Sequence, residues 1–213
     1  MDSKLLLFVM GNLLAGHFNQ LLPEAIATPG VLRARFAGAA PEREVPAWCH
    51  IAIYDVDRDP AEVAAALFRH DAADSPAFDD RSLRMVTASA ITPRLLAEAT
   101  SDSDAIPLLF VVLTNPVKGR EVEYNEWYDR QHLQDVLAIP GFVAAQRFRV
   151  GELAPIPMLP WQYLAIYEVA PDAVEAAFAE MDVRKGTERM PISDALDDDR
   201  FRALYAIAGT TTA

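Results

Sequence analysis

Short unbroken apolar runs alternate along this chain with helix-like stretches, and the same succession occurs twice. Leu6 to Met10 and Leu108 to Val111 are continuous apolar runs of strand length, the pattern of a buried strand. Each is followed by a helical stretch that stops at Pro29-Gly30 or Pro140-Gly141, because the residue before proline leaves the α region and glycine supplies the turn. Two strands come next, one ending in Arg35-Phe36 or Arg147-Phe148 and one starting at Trp48 or Trp161. Ala-rich runs over 61–68 and 173–181, preceded by Asp59-Pro60 and Pro171-Asp172, predict a second helix in each half. A last strand is predicted over 83–90 and 201–207. Each half is therefore β-α-β-β-α-β, the ferredoxin-like unit.

The duplication is visible in the residues themselves. Trp48 to Val56 matches Trp161 to Val169 without a gap, with five of nine positions identical. Leu6-Leu7-Phe8-Val9 with Leu108 to Val111, Ala27 to Gly30 with Ala138 to Gly141, and Asp80-Arg81 with Asp199-Arg200 follow in order. A single such unit covers only one face of its sheet with helices, so the bare face needs a partner. The predicted fold class is α+β, with two tandem ferredoxin-like βαββαβ repeats, residues 1–99 and 105–213, forming one pseudo-dimeric α+β barrel. The polar stretch Thr100 to Asp104 reads as the linker. Two independent domains are the alternative, since a short linker does not force the sheets together.

Composition narrows the partners. A net charge of −12 over 213 residues argues against nucleic acid and anionic membranes, both of which select clustered Lys and Arg. No apolar run approaches the ~20 residues that cross a bilayer. The repeat also favours a strand over a secretory leader at Leu6 to Met10. Cys49 is the sole cysteine, which excludes an internal disulfide and suits a reducing cytoplasm. Four histidines without metal-ligand spacing predict no metal site, and no Gly-rich phosphate loop or G-x-S-x-G elbow is present. No cofactor is expected, a small-molecule substrate is, and the sequence is compatible with a homo-oligomer.

The copies differ where chemistry concentrates. The second carries the helical stretch 121–139, and at 100° per residue Tyr124, Tyr128, His132 and Asp135 form one stripe with Asn125 and Trp127 on its flanks. An ordinary core-facing helix carries aliphatics there. Counting back from Pro29 places Leu21 opposite His132; His17 and Asn19 stand earlier in the shorter first helix. On the tryptophan strands, alternation puts Trp161, Tyr163, Ala165 and Tyr167 on one face, and Trp48, His50, Ala52 and Tyr54 on the other copy's equivalent face. Such aromatic walls suit a planar organic ligand. Arg147 and Arg149, with Arg33 and Arg35 in the first copy, have the chemistry to clamp a carboxylate.

At Asn125 to His132 and Asp135 through Pro140-Gly141-Phe142, the sequence resembles the EthD-like branch of the dimeric α+β barrel superfamily. The resemblance implies a pocket between helices and sheet with the helix histidine beside it. Members of that superfamily include cofactor-free monooxygenases, polyketide cyclases, muconolactone-type isomerases, decarboxylases and haem proteins, so fold does not choose the reaction.

Two readings of His132 stand: a helix-terminal residue satisfying a carbonyl or the dipole, or a general acid or base whose tautomer Tyr128 or Asp135 sets. On the second, a cofactor-independent isomerase of aromatic catabolism is expected, moving a proton or double bond in a small oxygenated carboxylic acid. His132 would move the proton, Asp135 would orient it, and Tyr124 and Tyr128 would polarise the enolate oxygen. Arg147 would hold the carboxylate, with Trp127, Asn125, His50, Tyr163 and Trp161 around the substrate. The alternatives are a cofactor-free monooxygenase acting on a phenol or hydroquinone, and a non-enzymatic binding protein.

Overall fold

The computed structural model describes residues 5–12, 25–40, 46–67, 82–98, 105–153 and 159–213. His17, Asn19, Leu21, Asp80, Arg81 and the 100–104 linker lie outside them. The chain forms two compact units. The first comprises Met1–Ala90, Arg149–Pro160 and Leu204–Ala213, the second Ile91–Phe148 and Trp161–Ala203.

In the first unit, β1 (Leu5–Gly11), β2 (Val31–Ala39), β3 (His50–Val56), helix α1 (Pro60–Leu67) and β4 (Arg84–Ala90) follow in the predicted order; apart from residues 25–27, the helix expected before Pro29 lies outside the described residues. The strands are ordered β4-β1-β3-β2 and pair antiparallel, with Leu6 opposite Asp55 and Ala34 opposite Tyr54. The continuous apolar run of β1 is explained by this central position, since all of Leu6 to Met10 is fully buried. Leu7, Val9, Phe36, Tyr54 and Val63 share one core cluster. Arg33 and Arg35 are engaged with the buried Asp55.

The second unit runs β5 (Leu95–Leu96), β6 (Leu108–Thr114), α2 (Glu121–Trp127), a π-helical turn (Tyr128–His132), α3 (Leu133–Leu137), β7 (Phe142–Gly151), β8 (Tyr163–Val169), a 3₁₀ turn (Pro171–Ala173), α4 (Val174–Arg184) and β9 (Phe201–Thr212). The ends of β7 and β9, from Arg149 and Leu204, fall in the first unit. Its strand order, β9-β6-β8-β7-β5, repeats the fourth-first-third-second succession of the first unit. The antiparallel register sets Leu109 opposite Glu168, as Leu6 stands opposite Asp55. Equivalence by register thus joins Leu6 to Leu109, one residue away from the match read from the sequence. Leucine-rich runs slide easily by eye, whereas hydrogen-bond register does not.

Smaller features recur at this corrected offset. The Asn12 side-chain oxygen accepts the Cys49 N–H at 2.8 Å, and that of Asn115 accepts the Gln162 N–H at 2.9 Å. The Trp48 indole donates to the Ser82 carbonyl and the Trp161 indole to that of Asp199, each two residues before the last strand of its set. Both tryptophans tie a loop to a strand start. Glu168 pairs with Arg94 through two hydrogen bonds of 2.8 and 2.6 Å, as Asp55 pairs with its arginines. Among the described residues no helix is long and apolar enough to cross a membrane.

Candidate active site

A cavity opens within the second unit, lined by alternate residues of β6, one face of the long helix, Tyr167 of β8, the end of α4 and the segment that leads into β9. Alternation explains the first contribution, because Phe110, Val112 and Thr114 point to one side of their strand. From the helix come Tyr128, His132 and Val136, spaced four apart. The volume open to the centre of a water molecule is about 70 Å³, room for several waters and so more than a packing defect. Aliphatic and aromatic groups make most of the wall, and Thr114, Tyr128, His132 and Tyr167 supply polar atoms at one side.

The helix itself is irregular at this point. Residues Tyr128–His132 form a π turn in which the Leu133 N–H reaches back five residues to the Tyr128 carbonyl. Such insertions concentrate at functional sites. The extra residue in the turn resets the phase of a stripe counted at 100° per residue, and Val136 takes the cavity position beyond His132. Asp135 lies off the cavity, half-buried, with Oδ2 buried and lacking a hydrogen-bond partner. Burial raises its carboxyl above the usual range and Arg184 opposes that.

His132 sits against two aromatic rings, stacked on Trp127 at 4.6 Å and edge-on to Tyr128 at 4.9 Å. Its Nδ1 is buried and makes no hydrogen bond, so neither Tyr128 nor Asp135 sets its tautomer through that atom. Burial first, and then the charges of Arg147 and Arg200, lower its pKa to about 3. At neutral pH the ring is uncharged and able to accept a proton. The Tyr167 hydroxyl donates to the Tyr128 hydroxyl at 3.1 Å. Burial pushes both phenols up, so both remain protonated donors.

Arg147 is elsewhere than its expected role requires. Its side chain is fully buried behind the tyrosines, paired with Asp129, donating to Asn125 at 3.0 Å, and lying 4.0 Å from the Tyr128 ring centre and 5.2 Å from those of Tyr124 and Tyr163. Burial acts against its charge, but Tyr124, Tyr128 and Asp129 raise its pKa above the ordinary value. It holds the helix to the sheet and does not line the cavity. A long strand side chain at a central position was bound to meet the covering helix before any ligand.

The other predicted residues form a layer around the site. Tyr124 shares a 2.7 Å hydrogen bond with cavity-lining Thr114. Asn125 donates to the Tyr163 hydroxyl at 2.9 Å, and that hydroxyl donates to Glu121. The Trp127 indole donates to the Pro191 carbonyl at 3.0 Å, and Trp161 ties down Asp199. His50 belongs to the first unit, partly buried, its pKa lowered by burial. Of the ten predicted residues, His132 and Tyr128 line the cavity. Sequence reasoning missed Lys185, Arg200 and Arg202, which also line it. Arg200 and Arg202 follow the acidic run Asp197-Asp198-Asp199, where the local charge pattern suggests a solvated surface.

No family model and no curated protein matches the chain. Solved structures do. An anthrone oxidase-like protein aligns with a TM-score of 0.60 and 13% identity over 100% of this chain and 95% of that one. A protein assigned as a monooxygenase from Fusobacterium nucleatum subsp. nucleatum aligns at 0.57 and 10%, covering 98% and 93%. A variant of chlorite dismutase from Candidatus Nitrospira defluvii aligns at 0.56 and 8%, covering 97% and 92%. The chain therefore has a mixed α+β fold that matches these dimeric α+β barrel structures. At these identities the likeness is one of fold.

Proposed function

We propose that this protein is a cofactor-independent oxygenase of an electron-rich phenol or hydroquinone, working in the cavity of the second unit. The observation that carries this reading is His132, its Nδ1 buried and unbonded, facing an apolar cavity beside the Tyr128–Tyr167 hydroxyl pair. His132 takes a proton from the substrate, and the phenols donate to the oxygen on which negative charge grows. The substrate carbanion reduces dioxygen, the two join as a peroxide, and loss of water leaves a carbonyl; a phenol and one O₂ give a quinone and one water. Likeness to an anthrone oxidase-like protein and an assigned monooxygenase supports the class.

A second reading, proton-shift isomerisation of an enol acid, uses the same residues, because a phenol that stabilises an enolate can return its proton to another carbon. An oxygen electrode with a panel of single-ring phenols, hydroquinones and enol acids separates the two. The expected result is one O₂ consumed per substrate, falling ~10²-fold or more in His132→Ala. Product without oxygen uptake would move the assignment to the isomerase, and binding without turnover to a carrier.

We further propose that the chain is a tandem fusion of two ferredoxin-like repeats with an EthD-like second half. The recurring strand order and the matched Asn12 and Asn115 contacts support this. Enzymatic action on aromatic compounds inside the cytoplasm accords with the acidic, single-cysteine composition.

A further inference from the structure

The protein has 31 acidic and 19 basic residues, yet three cations and, among the described residues, no carboxylate line its cavity. Lys185 caps the end of α4, Arg200 directly precedes β9, and Arg202 is the second residue of that strand. Lys185 and Arg202 are exposed and mark the solvent side of the cavity; Arg200 is half-buried. Among the described residues Arg200 makes one ion pair, with Asp198, whose side chain is fully exposed and whose oxygen stands at a long 3.5 Å. That pair is weak and easily exchanged. Lys185 and Arg202 make no ion pair among the described residues. Three like charges, two without an ion pair among the described residues and one weakly paired, at an apolar opening are suited to complete their pairing with a bound anion.

We infer that the cavity selects an aromatic or enolic substrate bearing an anionic group, held by Arg200 with Lys185 and Arg202 at the mouth, while the oxygenated end reaches His132 and Tyr128. This deepens the functional reading above and rests on it for the second half only. It also supplies a link between binding and chemistry. Arg200 is one of the charges that hold the His132 ring uncharged, so an anion paired with Arg200 offsets that charge and makes the histidine a better base when substrate is present. The three cations have the role first assigned to Arg147.

Calorimetric titration with benzoate and with its neutral counterpart benzamide, at one ionic strength, tests the anion site apart from turnover. Wild-type protein is expected to prefer benzoate by ~10-fold or more, as for a desolvated charge pair. Arg200→Met abolishes that preference while benzamide binding changes less than threefold, roughly the scatter of an uncoupled site, and Arg200→Lys restores part of it. The double variant Lys185→Met with Arg202→Met lowers benzoate affinity and steepens nothing for benzamide. Equal binding of the two probes, no benzoate binding, or a preference unchanged in Arg200→Met would each overturn the inference. Anion preference without oxygen uptake leaves the site standing and removes the oxygenase. Full-rate turnover of a carboxylate-bearing phenol by Arg200→Met does the reverse.

Discussion

The Arg147 guanidinium carbon lies 4.0 Å from the centre of the Tyr128 ring, so a buried cation backs the phenol whose other side faces the cavity. The contact joins a sheet residue to the π turn, with Asp129 and Asn125 each accepting from one of the cation's two terminal nitrogens while Nε stays unbonded. Only an arginine can fork to two acceptors and stack at once. Arg147→Lys and Arg147→Met are therefore both expected to destabilise the fold by ~2–4 kcal/mol. Asp129→Asn costs less, ~1 kcal/mol, because its carboxylate is 37% exposed. Urea titration of the three variants checks the order, and a wild-type midpoint for Arg147→Lys would refute it.

The two buried hydroxyls of Tyr128 and Tyr167 depend on one another. Removing either by Phe substitution is expected to cost ~1 kcal/mol, and the double Phe variant less than the sum, because it leaves no orphaned hydroxyl. If Tyr128 steadies the developing oxyanion, Tyr128→Phe also lowers kcat by ~10²-fold. A double-mutant cycle in stability and rate measures both.

His132 predicts a sign for the pH dependence of stability. Its pKa is about 3 in the folded chain against 6.5 for an ordinary histidine. Between those values the unfolded chain binds the proton and the folded chain does not, so stability is undiminished above pH 6.5 and falls as pH drops toward 3. His132→Gln is expected to remove this part of the slope. Comparing unfolding midpoints of wild type and variant at pH ~7 and ~5, which brackets the upper part of this window, isolates it from the carboxylates; parallel curves would contradict the buried neutral ring.

Gly141 and Gly119 both adopt left-handed backbone, with φ of 100° and 83°. A Cβ at Gly141 would meet the Ala173 Cβ at 2.7 Å, whereas nothing lies within 4 Å of one at Gly119. Gly119→Ala is expected to cost ~1 kcal/mol from backbone strain alone, and Gly141→Ala distinctly more. Thermal denaturation of the pair gives the difference, and equal losses would mean that the Pro140-Gly141 turn yields.

The order of elements was legible because each strand and helix carries its own local signal. The buried runs of β1 and β6, the Pro-Gly stops and the Ala-rich helices read correctly without any tertiary knowledge. Aromatic alternation on β8 also placed Tyr163 and Tyr167 on one face, and the structure packs both against the long helix. The likeness of Trp48 to Val56 and Trp161 to Val169 agrees with the common strand order of the two units, though the first-strand match read from the sequence differs by one residue from the hydrogen-bond register where leucines repeat.

By itself, then, the sequence determined the α+β class, the element order and the place of His132 on an aromatic helix, since these follow from periodicity and residue type along the chain. Tertiary structure alone decided which polar groups reach the cavity. The π turn shifted the helix phase so that Val136, and not Asp135, follows His132. Sheet geometry buried Arg147 under three tyrosine rings, and the start of β9 brought Arg200 and Arg202 to the cavity. Contacts between residues distant in sequence depend on register and packing, and neither is written in any local pattern.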